Sequence, residues 1–157
     1  MEGHLKVIQS FYQAFKDHDV ESMVQHYDLN VRFHDPAFGH LEGSDASNMW
    51  RMLIERGQNN FQIEYSDIRS IGDKVAAHWE AKYPFSKTGR MVHNKIDAEF
   101  EFVGDKIIQH IDTFNFWKWS SIALGTPGML LGWSPIVKGK VRRQCLLLLS
   151  NYTHKPK

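Results

Sequence analysis

The period of the apolar residues changes near residue 61, and this limits the possible folds more than any other feature of the chain. Before that point Leu5, Ile8, Phe11, Tyr12 and Phe15 recur at helical spacing and predict a first amphipathic helix. Asp19 suits the N-cap of a second, short helix with Val20, Met23, Val24 and Tyr27 on one face. A short strand over 31–34 then runs into Asp35 and Pro36, and Ser44 or Asp45 caps a third helix. That helix turns Ala46, Met49, Trp50 and Leu53 inward and stops at Gly57. From 61 onward apolar and polar residues alternate, which predicts strands over 61–70, 74–83, 90–103 and 107–116. Their turns read "IGD", "SKTG" and "GD", the last a glycine-first two-residue hairpin. Helices followed by an antiparallel meander give an α+β fold with the helices on one sheet face.

Composition narrows the functional classes. At 157 residues, 42% apolar and 24% charged, the chain suits one folded domain. Its 13% aromatic content, with five tryptophans, supplies cavity walls as well as core. Net charge is +1 and the first 116 residues hold no acidic or basic block, so nucleic acid is not an expected partner there. A single cysteine, Cys145, excludes an intrachain disulfide framework and is compatible with a reducing compartment. The N-terminus lacks the charged start and apolar run of a signal peptide, and the most apolar window, 122–133, is short and broken by Gly125, Pro127, Gly128 and Gly132. A cytoplasmic location is the expectation.

The order helix, short helix, strand ending in Asp-Pro, helix and four-stranded meander resembles the cone-shaped fold of the nuclear-transport-factor-2-like superfamily. Ketosteroid isomerases, small polyketide cyclases and limonene epoxide hydrolases belong to it, beside non-catalytic binding modules. The resemblance covers residues 4 to 116. It implies a curved antiparallel sheet wrapped around the three N-terminal helices and one deep apolar pocket, with 117–157 as a C-terminal helical extension. The stretch "VIQSFYQAFKDHDVESMVQHYDLNVRFHDPAFG" looks like the first third of a ketosteroid isomerase, whose general base falls on Asp35. The isomerase tyrosine falls on Phe11, with Tyr12 one step further and about 100° round the helix. The second isomerase acid falls on Asp97 if "Ile-Asp" is matched, or on Ala98 if the downstream Phe100 and Phe102 are matched. Alternation favours Ala98, because Ile96, Ala98, Phe100 and Phe102 share a face that excludes Asp97 unless a bulge intervenes. The acid-base aspartate of the small polyketide cyclases looks like Asp112.

Strand parity assembles the candidate site. Val31, Phe33 and Asp35 share a face, so Asp35 is either a pocket carboxylate or a residue that shapes the turn into Pro36. Ile108, His110, Asp112, Phe114 and Phe116 share another, and a His and an Asp two residues apart on one face can orient each other. Asn94 is placed to hold a carbonyl or to orient Asp112, with a structural hydrogen bond as the alternative. Trp50 and Trp79 are pocket wall or core, and Phe11, Tyr12 and Phe33 complete the expected substrate surface. The nine histidines show no metal-ligand spacing, and no nucleotide motif is present, so neither metal nor cofactor is expected. The basic, apolar last helix, opened by Ser134 and Pro135, is expected to cover the domain or a second subunit, with Trp119, Trp133 and the leucine run 146–149 as covering residues and membrane contact the minor alternative. Acid-base catalysis on a small apolar carbonyl or epoxide by a homodimer is the leading expectation. A non-catalytic binding or dimerisation module is the alternative.

Overall fold

The computed structural model describes residues 1–155 apart from Ser86 and Trp133. Helix α1 (Glu2–Lys16) and α2 (Val20–Val24) lead into β1 (Tyr27–Asp35), β2 (Gly39–Glu42) and α3 (Ser44–Gly57). A meander of β3 (Gln62–Ile71), β4 (Lys74–Pro84), β5 (Met91–Val103) and β6 (Lys106–Thr113) follows. The chain closes with α4 (Phe116–Leu124), α5 (Thr126–Leu131) and α6 (Pro135–Thr153). Six strands form one curved, unclosed sheet in the order β2-β1-β6-β5-β4-β3. The α+β cone expected from the sequence is therefore present.

Local chemistry accounts for most boundaries. The Asp19 carboxylate accepts the Ser22 N–H and caps α2, and Ser134 Oγ accepts the Ile136 N–H ahead of a first-turn proline in α6. Gly104 and Asp105 link Val103 to Lys106 as a two-residue hairpin with positive φ at the glycine only. Several expectations need correction. Helix α2 ends at Val24, and Tyr27 starts β1 instead of lying on a helix face. The residue before α3 is Gly43, with no side-chain cap from Ser44 or Asp45. Leu53 is 38% exposed, at the rim of a cavity, while Met52 is buried. Strand β2 was not foreseen, and β6 ends at Thr113, with Phe116 opening α4.

Not every pairing is antiparallel: β1 runs parallel to β6, with Phe33 opposite His110. A parallel neighbour needs a long crossover, and everything from β2 to β5 supplies it. A second irregularity lies in β6, where Glu101 faces Gln109 but Phe102 faces Ile107. Ile108 is the extra residue of a bulge, so Ile107 is fully buried in its place and Ile108 is only partly buried. His110 and Asp112 keep the inward parity.

The core lies between the sheet's inner face and the helices, centred on Ile8, Phe11, Tyr12, Phe33, Met49, Trp50 and Phe100. The extension does not hang free. Phe116, Trp119 and Ala123 of α4 form a second cluster with Val92, and Val137 and Val141 of α6 pack against it. Trp119 Nε1 donates to Tyr83 Oη at 2.7 Å. Gly128 lets α5 approach α4, since a Cβ there would lie 1.9 Å from the Ser120 carbonyl oxygen. Leu148 and Leu149 face the core as expected of the leucine run, whereas Leu147 is 60% exposed. Trp133 lies outside the described residues.

Candidate active site

A cavity of about 640 Å³ opens between the sheet, α3 and the extension. Phe15, Trp50, Phe61 and Trp79 give it an apolar wall, and Asp35, Asn94 and Asp112 supply polar groups. That is the size and character of a small-molecule site.

Asp35 ends β1 where the chain reverses through Pro36, Ala37 and Phe38 to pair with Gly39. Its Oδ1 accepts the N–H of Ala37 at 2.9 Å and of Phe38 at 2.6 Å. The same side chain thus shapes the turn and lines the cavity. Burial raises its pKa from 3.8 to about 7; the backbone N–H groups oppose the rise and the charge of Asp112 adds to it. Near neutral pH such a carboxyl is poised between its two protonation states.

Asp112 is held differently. Its Oδ1 lies 2.9 Å from His110 Nε2 and accepts the Trp79 indole N–H at 3.2 Å. His110 Nδ1 lies 2.7 Å from Tyr27 Oη, which in turn accepts the Trp50 indole N–H at 2.8 Å. An indole can only donate, so the Tyr27 oxygen accepts from Trp50 and its own proton points to His110 Nδ1. Burial pushes the Tyr27 phenol well above its usual range, which keeps that proton in place. This line favours the Nε2–H tautomer of His110, with Nε2 donating to Asp112. All of this machinery is buried: His110 is 0% and Asp112 3% exposed. Asp112 Oδ2 has no hydrogen bond to a described residue.

The remaining expected residues divide between wall and support. Trp50 and Trp79 serve both cavity and core, each using its indole N–H within the buried line. The Asn94 side chain lines the cavity but makes no hydrogen bond to Asp112 or to another described residue. Phe11, Tyr12 and Phe33, expected at the substrate surface, are not among the lining residues. Phe11 and Phe33 pack edge-on against the His110 ring, at 5.6 and 5.1 Å, one layer behind the cavity. Tyr12 is fully buried, its hydroxyl without a partner among the described residues. Asp97 points outward to His78 at 2.9 Å, while Ala98 faces inward opposite Asp112. Alternation thus decided correctly between the two.

Two contributors were missed. Tyr27 was read as a helix residue on its spacing from Val20, Met23 and Val24, although the alternation Tyr27, Leu29, Val31, Phe33 leads back to it; Leu29 itself is 93% exposed beside a register shift. Cys145 and Leu148 of α6 line the cavity, so the extension supplies part of its wall. Their signal was the run Val137, Val141, Cys145, Leu148 and Tyr152 on one helical face. Burial lifts the Cys145 thiol to about 11, with Asp35 adding to the rise. Among the described residues no group of His, Cys, Asp and Glu could hold a metal ion.

A SnoaL-like domain model matches residues 8–110. No curated protein matches the sequence significantly. Among solved structures, a putative polyketide cyclase from Xanthomonas campestris pv. campestris is 16% identical, with TM-score 0.63 over 78% of this chain and 97% of that one. AclR, a putative hydroxylase from Streptomyces galilaeus, is 19% identical, with TM-score 0.62 over 89% and 99%. An LEH-like epoxide hydrolase from M. tuberculosis is 16% identical, with TM-score 0.59 over 87% and 96%. At such identities the likeness to these structures is one of fold.

Proposed function

The chain belongs to the SnoaL-like domain family, and from that premise we propose that it is a cofactor-independent acid-base enzyme acting on a small, largely apolar carbonyl or epoxide compound. The observation that carries this reading is the convergence of Asp35 and Asp112 on one apolar cavity, with burial holding the Asp35 pKa at about 7. Ionised Asp35 takes a proton beside a substrate carbonyl: the C–H bond breaks, its electron pair forms the enolate, and Asp35 becomes the acid that returns the proton at the same or a neighbouring atom. The Asn94 amide donates to the substrate carbonyl oxygen as the enolate forms, while Asp112, oriented by His110 and Trp79 through Oδ1, keeps Oδ2 as an acceptor for a substrate hydroxyl. Trp50 and Phe61 exclude water and favour an apolar body. A homodimer stays part of the proposal and is read by light scattering.

The test is hydrogen–deuterium exchange beside the carbonyl in a panel of small apolar ketones, followed by NMR in deuterated buffer. The wild-type chain should exchange at least one of them, and Asp35→Asn should abolish that exchange while keeping the fold. Exchange that persists at an equal rate in Asp35→Asn would remove the proposed base.

A further inference from the structure

The charges of this protein are divided between its two parts. Residues 117–157 hold seven of the nineteen Lys and Arg and none of the eighteen Asp and Glu, leaving residues 1–116 with twelve cations against eighteen acids, a net of −6. Within the cone five of the twelve cations meet acids, among them Lys16 with Glu64, Arg51 with Glu21 and Lys74 with Glu101. Among the described residues no ion pair includes a cation of the extension.

Lys138 lies over the Phe116 ring and Arg142 bonds the Pro36 carbonyl, but α6 carries Lys140 and Arg143 on a face that packing has not used. Its inward side is Val137, Val141, Cys145 and Leu148. On the opposite side Ile136, Lys140, Arg143 and Leu147 follow at spacings of four, three and four, which lines them up along one stripe. All four are exposed, Ile136 by 78% and Leu147 by 60%, with Leu146 beside them at 38%. Two branched apolar side chains flank two cations that make no ion pair among the described residues.

We infer that this outward stripe of α6 binds an anionic lipid surface. A bilayer of that charge matches both components at once, headgroups taking Lys140 and Arg143 while Ile136 and Leu147 enter the headgroup–acyl boundary. A nucleic acid would satisfy the cations and leave the apolar side chains without a partner. The sheet face of a second copy would set Lys82, Lys95, Asp97 and Glu99 against them. No helix among the described residues is long and apolar enough to cross a membrane, so the contact is peripheral. It does not depend on the catalytic proposal.

The experiment is vesicle flotation of the full chain, with phosphatidylcholine vesicles beside vesicles of equal parts phosphatidylcholine and phosphatidylserine. The chain should float with the second and not the first, and added salt should weaken the association. Lys140→Glu with Arg143→Glu, and separately Ile136→Ser with Leu147→Ser, should each reduce partitioning about tenfold or more, with helical content unchanged. Hydrogen exchange on the wild-type chain should show added protection over 136–147 with the anionic vesicles alone, a readout that no folding defect of a variant can disturb. Absence of flotation or of that protection overturns the inference. Loss in the charge variant alone would reduce the stripe to a non-specific cationic patch. A fall in lipid-free particle mass in the serine variant would assign the stripe to a second copy of the chain.

Discussion

The Asp35 corner of the cavity is made of backbone and the Asp112 corner of side chains. At Asp35 two main-chain N–H groups of a tight turn hold one carboxylate oxygen. At Asp112 the same task falls to an indole and an imidazole, the latter fixed in turn by Tyr27 and Trp50. A turn can accept an amide in place of its carboxylate, because Asn offers the same oxygen to the same donors. A buried side-chain line has no such slack, since each member's donor is the next member's acceptor. One corner therefore bears the cost of a strained ionisation, and the other the cost of any missing partner.

The largest expected effect breaks the second corner. Asp112→Leu leaves the Trp79 and His110 N–H groups buried and unpaired, which should cost about 2–5 kcal/mol of stability, while Asp35→Leu should cost clearly less. Urea unfolding of both variants reads the difference, and equal losses would abolish the distinction between the corners.

Asp35→Asn should act with the opposite sign. The folded state binds the Asp35 proton more tightly than the unfolded chain does, so stability falls as pH rises from 3.8 to about 7. Removing the charge should therefore raise stability by about 2–4 kcal/mol at pH 8, a range that discounts for partial solvation, with the gain vanishing below the unfolded pKa. Thermal melts at both ends of that range, with carboxyl NMR of the wild-type residue, check it.

A smaller effect sharpens the reading of the line itself. Tyr27→Phe should cost about 1–3 kcal/mol and release the His110 tautomer. Imidazole ¹⁵N shifts should show protonated Nε2 alone in the wild type and a mixture in the variant. A wild-type spectrum with protonated Nδ1 would reverse the direction assigned to these bonds.

Asp97→Asn should do least. The side chain is 83% exposed on the outer sheet face, so stability should change by no more than about 0.5 kcal/mol and the Asp35 titration should not move. A displaced Asp35 titration would mean that Asp97 reaches the cavity after all.

How much of this could be read from the sequence depended on what fixes each residue. Period-two alternation is a property of the strand itself, so the inward faces of Asp35, His110 and Asp112 and the outward face of Asp97 were legible in it. Ile108 was not, because the bulge that turns it aside is set by the register against Phe102 and has no mark of its own in β6. Strand β2, with four residues, is too short to show a period. Phe11 and Phe33 were correctly placed on inward faces, but whether an inward ring meets a cavity or a histidine depends on layers that no single element specifies. The packed face of α6 was visible as spacing. What it covers, including the wall beside Asp35, is decided by tertiary packing.

The parallel pairing of β1 with β6 has a consequence for the order in which the protein assembles. Phe33 and His110 are opposed across the pairing although most of the sheet lies between them in sequence. The hairpins of the meander close over links of two residues (β3–β4 and β5–β6) or six (β4–β5) and need little loop entropy, whereas docking β1 beside β6 must wait until the intervening chain is arranged. The two carboxylates sit on those two strands, so they come together only in that slow, non-local step. On a ribosome the hairpin of β3 and β4 can form while β6 is still unmade, and the cavity acquires its second acid only after Asp112 has emerged. In refolding, a probe of Asp35 ionisation should accordingly lag behind one of β3–β4 pairing.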